Sequence, residues 1–182
     1  MAVIGYQESN WYTFSMAQYE ARTIDDKCVF CEIVAGKLEA GIFWENDEFI
    51  AFLATYPSTE GFTCVIPKNH FGSDVLKLPS DVLQRFIVAS KEAALVLENY
   101  YEDVGRVGVV MEGLGIDHAH IKLVPLHGTD YLKRGEWKQA LSGKVFWFDK
   151  YEGWISSGDG PGVDVAKLVE LANRIKSHES KK

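Results

Sequence analysis

Two short stretches hold the side chains best suited to chemistry. In GIDHAHIKLVPLHG, Gly115 to Gly128, His118, His120 and Lys122 occupy every second position. A strand turns alternate side chains to one face, so all three would share a side that is otherwise apolar. An imidazole placed there can be a metal ligand, a nucleophile or a hydrogen-bonded core residue. It is nucleophilic near neutral pH without first losing a proton from a charged state. The H-x-H pattern leaves the three roles open.

CVFC, Cys28 to Cys31, is the other stretch. Two thiolates separated by two residues can turn onto one ion, and zinc completes its tetrahedron with two further nitrogen or sulfur ligands. No second CxxC or HxxxH follows, and Cys64 stands alone, so those ligands must come from distant histidines. Of the five, His178 lies in the tail, leaving His70, His118, His120 and His127. CVFC also fits a redox pair or two reduced buried thiols, although the thioredoxin-like order of strand then helix is missing. His70 closes the run IPKNH. If its strand lies beside the one carrying HAH, His70 and His118 meet over the CVFC turn.

The elements that must position these groups follow from pattern. Ile33 and Val34 begin a short helix that Gly36 stops. GIFWEN (Gly41 to Asn46) and EFIAFLA (Glu48 to Ala54) read as a hairpin turning at Asn46-Asp47, and FTCVIP (Phe62 to Pro67) as a buried third strand. Asp81 is the expected N-cap of a long helix, with Gln84 three residues on and a stripe of Leu83, Phe86, Ile87, Ser90, Ala94 and Leu97. That helix ends near Tyr101. VGVVM (Val107 to Met111) and HAHIKLVPL (His118 to Leu126) follow as strands. The order predicts an α+β meander: an antiparallel sheet carrying one main helix.

Beyond Gly128 the texture changes. Tyr131 to Trp154 is rich in aromatics, and Phe146, Trp147, Phe148, Tyr151 and Trp154 read as added core, a lid or a dimer contact. SSGDGPG lacks the G-K-[ST] of a phosphate loop, so its glycines read as turn formers. A last helix starts near Asp164, with Val165, Leu168, Val169, Ala172 and Ile175 at helical spacing and a frayed SHESKK end. The division expected is an N-terminal extension (1–27), a domain (28–128) and a C-terminal extension (129–182).

Composition bounds the partners. A chain of 182 residues with 47% hydrophobic and 25% charged residues has the make-up of a soluble globular protein with a proper core. A net charge of −7 argues against nonspecific binding to duplex DNA or anionic membranes, both polyanions, while leaving room for a local basic pocket. No run is long enough to span a membrane, and MAVIGYQESNWYTFS lacks the marks of a signal peptide. The cytoplasm is the expected address, with neither nucleic acid nor membrane as partner.

CVFCEIVAGKLEA, ENDEFIAFLATYP, GFTCVIPKNH and HAHIKLVPLHG together resemble the histidine triad (HIT) superfamily of nucleotide hydrolases and transferases. The four blocks run in order from Cys28 to about Gly128, over more than half the chain. The resemblance implies a five-stranded antiparallel sheet with one short and one long helix, usually paired into a homodimer. It implies a structural zinc held by Cys28, Cys31, His70 and His118, four protein ligands that leave no open coordination position. His120 would be the nucleophile, attacking the α-phosphorus of a nucleotide to form a nucleotidyl-histidine that water or another acceptor resolves. The nucleoside pocket falls at Phe30, Ile33, Phe52 and Thr55, positions that equally suit plain core.

This sequence departs from the family pattern at three places. Lys122 replaces the third histidine and would act on phosphate oxygens as a point charge. Ala54 stands where the family has a ribose-binding aspartate, and Met111 where it has an asparagine. The loop Glu112 to Asp117 is also shortened. The expectation is therefore a zinc-stabilised nucleotide hydrolase or nucleotidyl transferase with His120 and Lys122 in catalytic roles. Dinucleoside polyphosphates, nucleoside phosphoramidates, adenylated proteins and nucleotide sugars all suit the same attack. Two alternatives stand beside it: a non-catalytic nucleotide- or phosphate-binding HIT module, and a catalytic metal site with His120 as a ligand and an activated water as nucleophile.

Overall fold

The structure, a computed structural model, describes residues 26–137 and 162–179. Helix α1 (Val29–Val34) begins four residues before the expected start, with Cys28 at its N-cap, and ends before Gly36 at φ +69°. The Ile33–Val34 pair marks only its last turn; the first turn is the CVFC stretch itself. The hairpin β1 (Gly41–Glu45) and β2 (Phe49–Leu53) turns at Asn46, whose Oδ1 accepts from the backbone N–H groups of Glu48 and Phe49 at 2.9 and 2.8 Å. Strand β3 (Thr63–Pro67) is buried along its whole length.

Helix α2 (Ser80–Tyr100) crosses from β3 to β4 (Val107–Val110), and β5 (Ile121–Pro125) completes a five-stranded antiparallel sheet in the order β1-β2-β3-β5-β4. Two expectations need correcting on α2. Pro79, not Asp81, holds the N-cap position, and Asp81 instead pairs with Arg85 one turn on. The buried stripe is Phe86, Ala89, Ser90, Ala93 and Leu97, whereas Ile87 is 47% exposed. At 100° per residue Ile87 points away from the line through Phe86 and Leu97, and small alanines let the helix lie close to the sheet.

β5 is shorter than the expected His118–Leu126. His118 and His120 sit in the extended segment just before it, where the Ala119 N–H donates to the Phe71 carbonyl at 2.8 Å. Helix α3 (Val165–Glu179) starts at Asp164, whose Oδ1 accepts from the Ala166 N–H at 2.8 Å. It buries Leu168, Leu171, Ala172 and Ile175, so Leu171 joins the expected stripe. α3 rests on β1 at Gly41, where a Cβ would stand 2.8 Å from the Leu168 carbonyl oxygen.

The sheet thus separates two cores. One face packs under α2 and α3 around Phe49, Ala51, Val65, Phe86, Leu97, Ile121, Leu123 and Ile175. The other packs under α1 around Phe30, Ile50, Phe52, Cys64, Ile66 and Ile116. No helix among the described residues is long and apolar enough to cross a membrane. The expected N-terminal extension up to residue 25, the aromatic cluster at 146–154, SSGDGPG before Gly162 and the last three residues lie outside the described residues.

Candidate active site

α1 and the two loops that meet it bring four separate ligand candidates together. The ligand atoms of Cys28, Cys31, His70 and His118 all lie within 4.8 Å of one another. Cys31 Sγ is 3.3 Å from His70 Nδ1, and the Cys28 and Cys31 sulfurs are each 3.6 Å from His118 Nδ1. Zinc–sulfur bonds near 2.3 Å and zinc–nitrogen bonds near 2.0 Å would give tetrahedron edges of roughly 3.5 Å, so the donor set fits zinc. His118 Nε2 is 2.9 Å from the Pro67 carbonyl oxygen. A carbonyl only accepts, so Nε2 carries the hydrogen and Nδ1 turns its lone pair to the sulfurs.

Protonation chemistry agrees with a cation site. Burial first, then the neighbouring Cys28, pushes the Cys31 thiol up to about 11. A Cys31 thiolate therefore needs a positive ion beside it to form near neutral pH. Burial also lowers the pKa of His118, with His70 and His120 acting the same way against the bond to Pro67. Neutral imidazole is the form that binds metal. His127, the other histidine the sequence left open, lies elsewhere, bonded to the Asp103 carboxylate and the Glu60 carbonyl oxygen at 3.1 Å.

His120 stands beside this cluster. Its Nδ1–H donates to the His118 carbonyl oxygen across 2.8 Å, which leaves the lone pair of the neutral ring on Nε2. The Phe30 ring meets both His118 and His120 edge-on, at 5.7 and 5.8 Å, so one α1 side chain braces both imidazoles. His120 is only 2% exposed. Burial is the main reason its pKa is lowered, followed in that direction by the Lys122 charge; the bond to the His118 carbonyl, the Glu112 charge and the Leu114 backbone act the other way.

Lys122 continues the alternation on the same face, opposite Cys64 of β3 and Val110 of β4. Its ammonium is paired with the Glu112 carboxylate, and both side chains are about 85% buried, being 16% and 15% exposed. Glu112 is the residue the sequence reading passed over. Its only signal there was an acidic side chain in a shortened loop, ten residues from its partner.

The four expected pocket residues separate. Phe30, Ile33 and Phe52 lie in the apolar cluster under α1, with the Phe30 and Phe52 rings in edge contact at 5.5 Å. Thr55 is exposed beyond the end of β2, its carbonyl accepting from the Val163 N–H. Ala54 is part-buried against the same cluster, and Met111 is 38% exposed beyond β4.

A five-stranded α+β sheet with a Cys2His2 cluster braced against a buried imidazole defines a narrow class of protein. The HIT domain family matches residues 35–128, and the chain belongs to it. An uncharacterized HIT-like protein of Methanocaldococcus jannaschii is 32% identical over 120 residues, 61% of this chain and 89% of the relative. An adenosine 5'-monophosphoramidase of Saccharomyces cerevisiae is 27% identical over 107 residues, 57% of this chain and 65% of the relative. Among solved structures, a zinc-bound histidine triad family protein from Mycobacterium smegmatis shares the fold, with a TM-score of 0.57 and 19% identity over 85% of this chain and 94% of its own.

Proposed function

We propose that the protein is a nucleotide hydrolase or nucleotidyl transferase in which His120 attacks a nucleoside α-phosphate. The observation that carries this is the bond from His120 Nδ1–H to the His118 carbonyl, which directs the Nε2 lone pair outward from the backbone. With the pKa lowered by burial, the ring is neutral at pH 7 and nucleophilic without prior deprotonation. Nε2 forms a bond to phosphorus, the leaving group departs with the bonding pair, and water or another acceptor later displaces the histidine.

A zinc ion on Cys28, Cys31, His70 and His118 would be structural, tying the first turn of α1 to the His70 and His118 segments. Phe30 then keeps His120 in place. The nucleoside would lie against Phe30, Ile33 and Phe52, with Thr55 at the outer edge, and Lys122 would face phosphate oxygens. We read residues 28–128 as the unit that carries this chemistry, with 1–27 and 129–182 as extensions. A homodimer would have apolar contacts available at Ile87, Val88 and Leu95 on α2 and at Val109 on the β4 edge, all exposed. Sedimentation at rising protein concentration tests the pairing, and cell fractionation the cytoplasmic address.

The near-complete burial of His120 favours a second reading, a nucleotide-binding module without turnover. The two separate cleanly. Quenching the protein and an adenosine phosphoramidate in alkaline denaturant, where a phosphorus–nitrogen bond survives, and mapping the peptides at alkaline pH by mass spectrometry should find one adenylyl group on His120. His120→Ala should abolish turnover while leaving a cooperative unfolding transition. Wild-type turnover by His120→Ala would sink the nucleophile assignment; nucleotide binding with neither adduct nor turnover would establish the module.

A further inference from the structure

One short segment, Glu112 to Asp117, bears on both Lys122 and His120. Glu112 pairs with Lys122, and the Glu112 charge and the Leu114 backbone both act on the His120 ring. The segment is pinned where it crosses the chain after His70. Gly113 has φ +65°, and a Cβ there would stand 2.6 Å from the Ser73 carbonyl oxygen, so only glycine lets the two backbones approach. Four residues on, Asp117 Oδ1 accepts from the Ser73 N–H at 3.0 Å.

We infer that the Glu112 carboxylate is a built-in occupant of the phosphate position, and that a nucleotide binds by exchanging its phosphate dianion for Glu112 on the Lys122 ammonium. This rests on the proposed nucleotide site and adds how that site selects its ligand. Lys122 and Glu112 are both largely buried, so neither can be left alone without a cost. A neutral nucleoside offers Lys122 nothing in return for Glu112. A phosphate dianion does, since it brings more charge and more acceptor oxygens than the carboxylate it displaces. Glu112 therefore acts as a charge filter beside the nucleophile. The ligands favoured are those that end in a phosphate dianion; a phosphorus carrying both the ribose and a leaving group is only a monoanion and displaces Glu112 less well.

The test is calorimetric titration of the full chain with two probes, AMP and adenosine. Glu112→Gln removes the competing charge while keeping a hydrogen-bonding side chain, and should tighten AMP by at least about fivefold with adenosine unchanged. Glu112→Asp keeps the charge on a shorter stem and should fall between; it is the fallback if the Gln variant unfolds, which a melting curve would reveal. Lys122→Gln should weaken AMP, and adding Glu112→Gln to it should then give no gain, because the exchange partner is gone. AMP affinity in both Glu112 variants within twofold of wild type would overturn the exchange while leaving the nucleotide site standing. Equal gains for AMP and adenosine would show a merely loosened loop and overturn it too. Absence of AMP binding in wild type and variants alike would remove both the exchange and the site beneath it.

Discussion

The two faces of the sheet are built on opposite principles. Under α2 and α3 the packing is almost wholly apolar, with the buried Ser90 hydroxyl turned back to the Phe86 carbonyl, Phe49 and Phe86 stacked at 5.1 Å, and Phe86, Leu97, Leu123 and Ile175 without exposed surface. Under α1 the apolar cluster is small, and the buried imidazoles of His118 and His120 share the space with it. α1 is six residues long, well short of the length at which a helix persists by itself. The first face holds itself together by burial; the second depends on directed bonds among a few polar groups. Stability and chemistry should therefore respond to different substitutions.

The largest effect expected on the first face is from Phe86→Ala, which should cost about 3–5 kcal/mol in urea unfolding. Zinc bound per folded molecule should stay the same. If metal content fell in step with stability in protein still folded, the two faces would be one cooperative unit. Next comes removal of the proposed zinc by a chelator, or His118→Ala, which should lower Tm by at least about 5 °C. Amide exchange locates the damage: protection should vanish in Val29–Val34 and persist in α2. Uniform loss across both would erase the distinction.

A smaller effect separates the faces by pH. Burial raises the Tyr101 pKa above its ordinary value of 10.0, with the Glu60 charge acting in the same direction. Above pH 10 the unfolded chain loses this proton while the folded protein keeps it. Tyr101 thus contributes stability that is intact below pH 10 and is lost above it, at up to about 1.4 kcal/mol per pH unit. Denaturant titrations at pH 9 to 11 should show this slope in wild type and a shallower one in Tyr101→Phe. Least of all, Thr55→Ala should leave AMP affinity within about twofold, whereas Ile33→Ala under α1 should weaken it by about tenfold. The reverse order would move the nucleoside out to the exposed end of β2.

Much of this could be read along the chain, and the reasons are local. Helical spacing marked both long helices and apolar runs bounded by turn residues marked the five strands, alternating in β5 but unbroken in β2 and β3, which are buried on both faces. The errors share that origin. Asp81 met every compositional rule for an N-cap, but Pro79 set where the helix begins. Ile87 was as apolar as its neighbours, yet Ala89 and Ala93 face the sheet, since close packing there calls for small side chains. Cys28, Cys31, His70 and His118 were drawn as one set through family resemblance, while the pattern of CVFC alone left metal, redox and plain thiol readings open.

By itself the sequence determined that these elements form, in which order, and which side chains carry reactive nitrogen, sulfur or charge. Only the tertiary structure decided their partners: His118 Nε2 on the Pro67 carbonyl, Phe30 against two imidazoles, Glu112 on Lys122. The physical reason is range. Periodicity comes from the solvation of neighbouring residues, whereas pairing across ten to ninety positions is set by how a twisted sheet and its loops close on one another, which no short stretch of chain encodes.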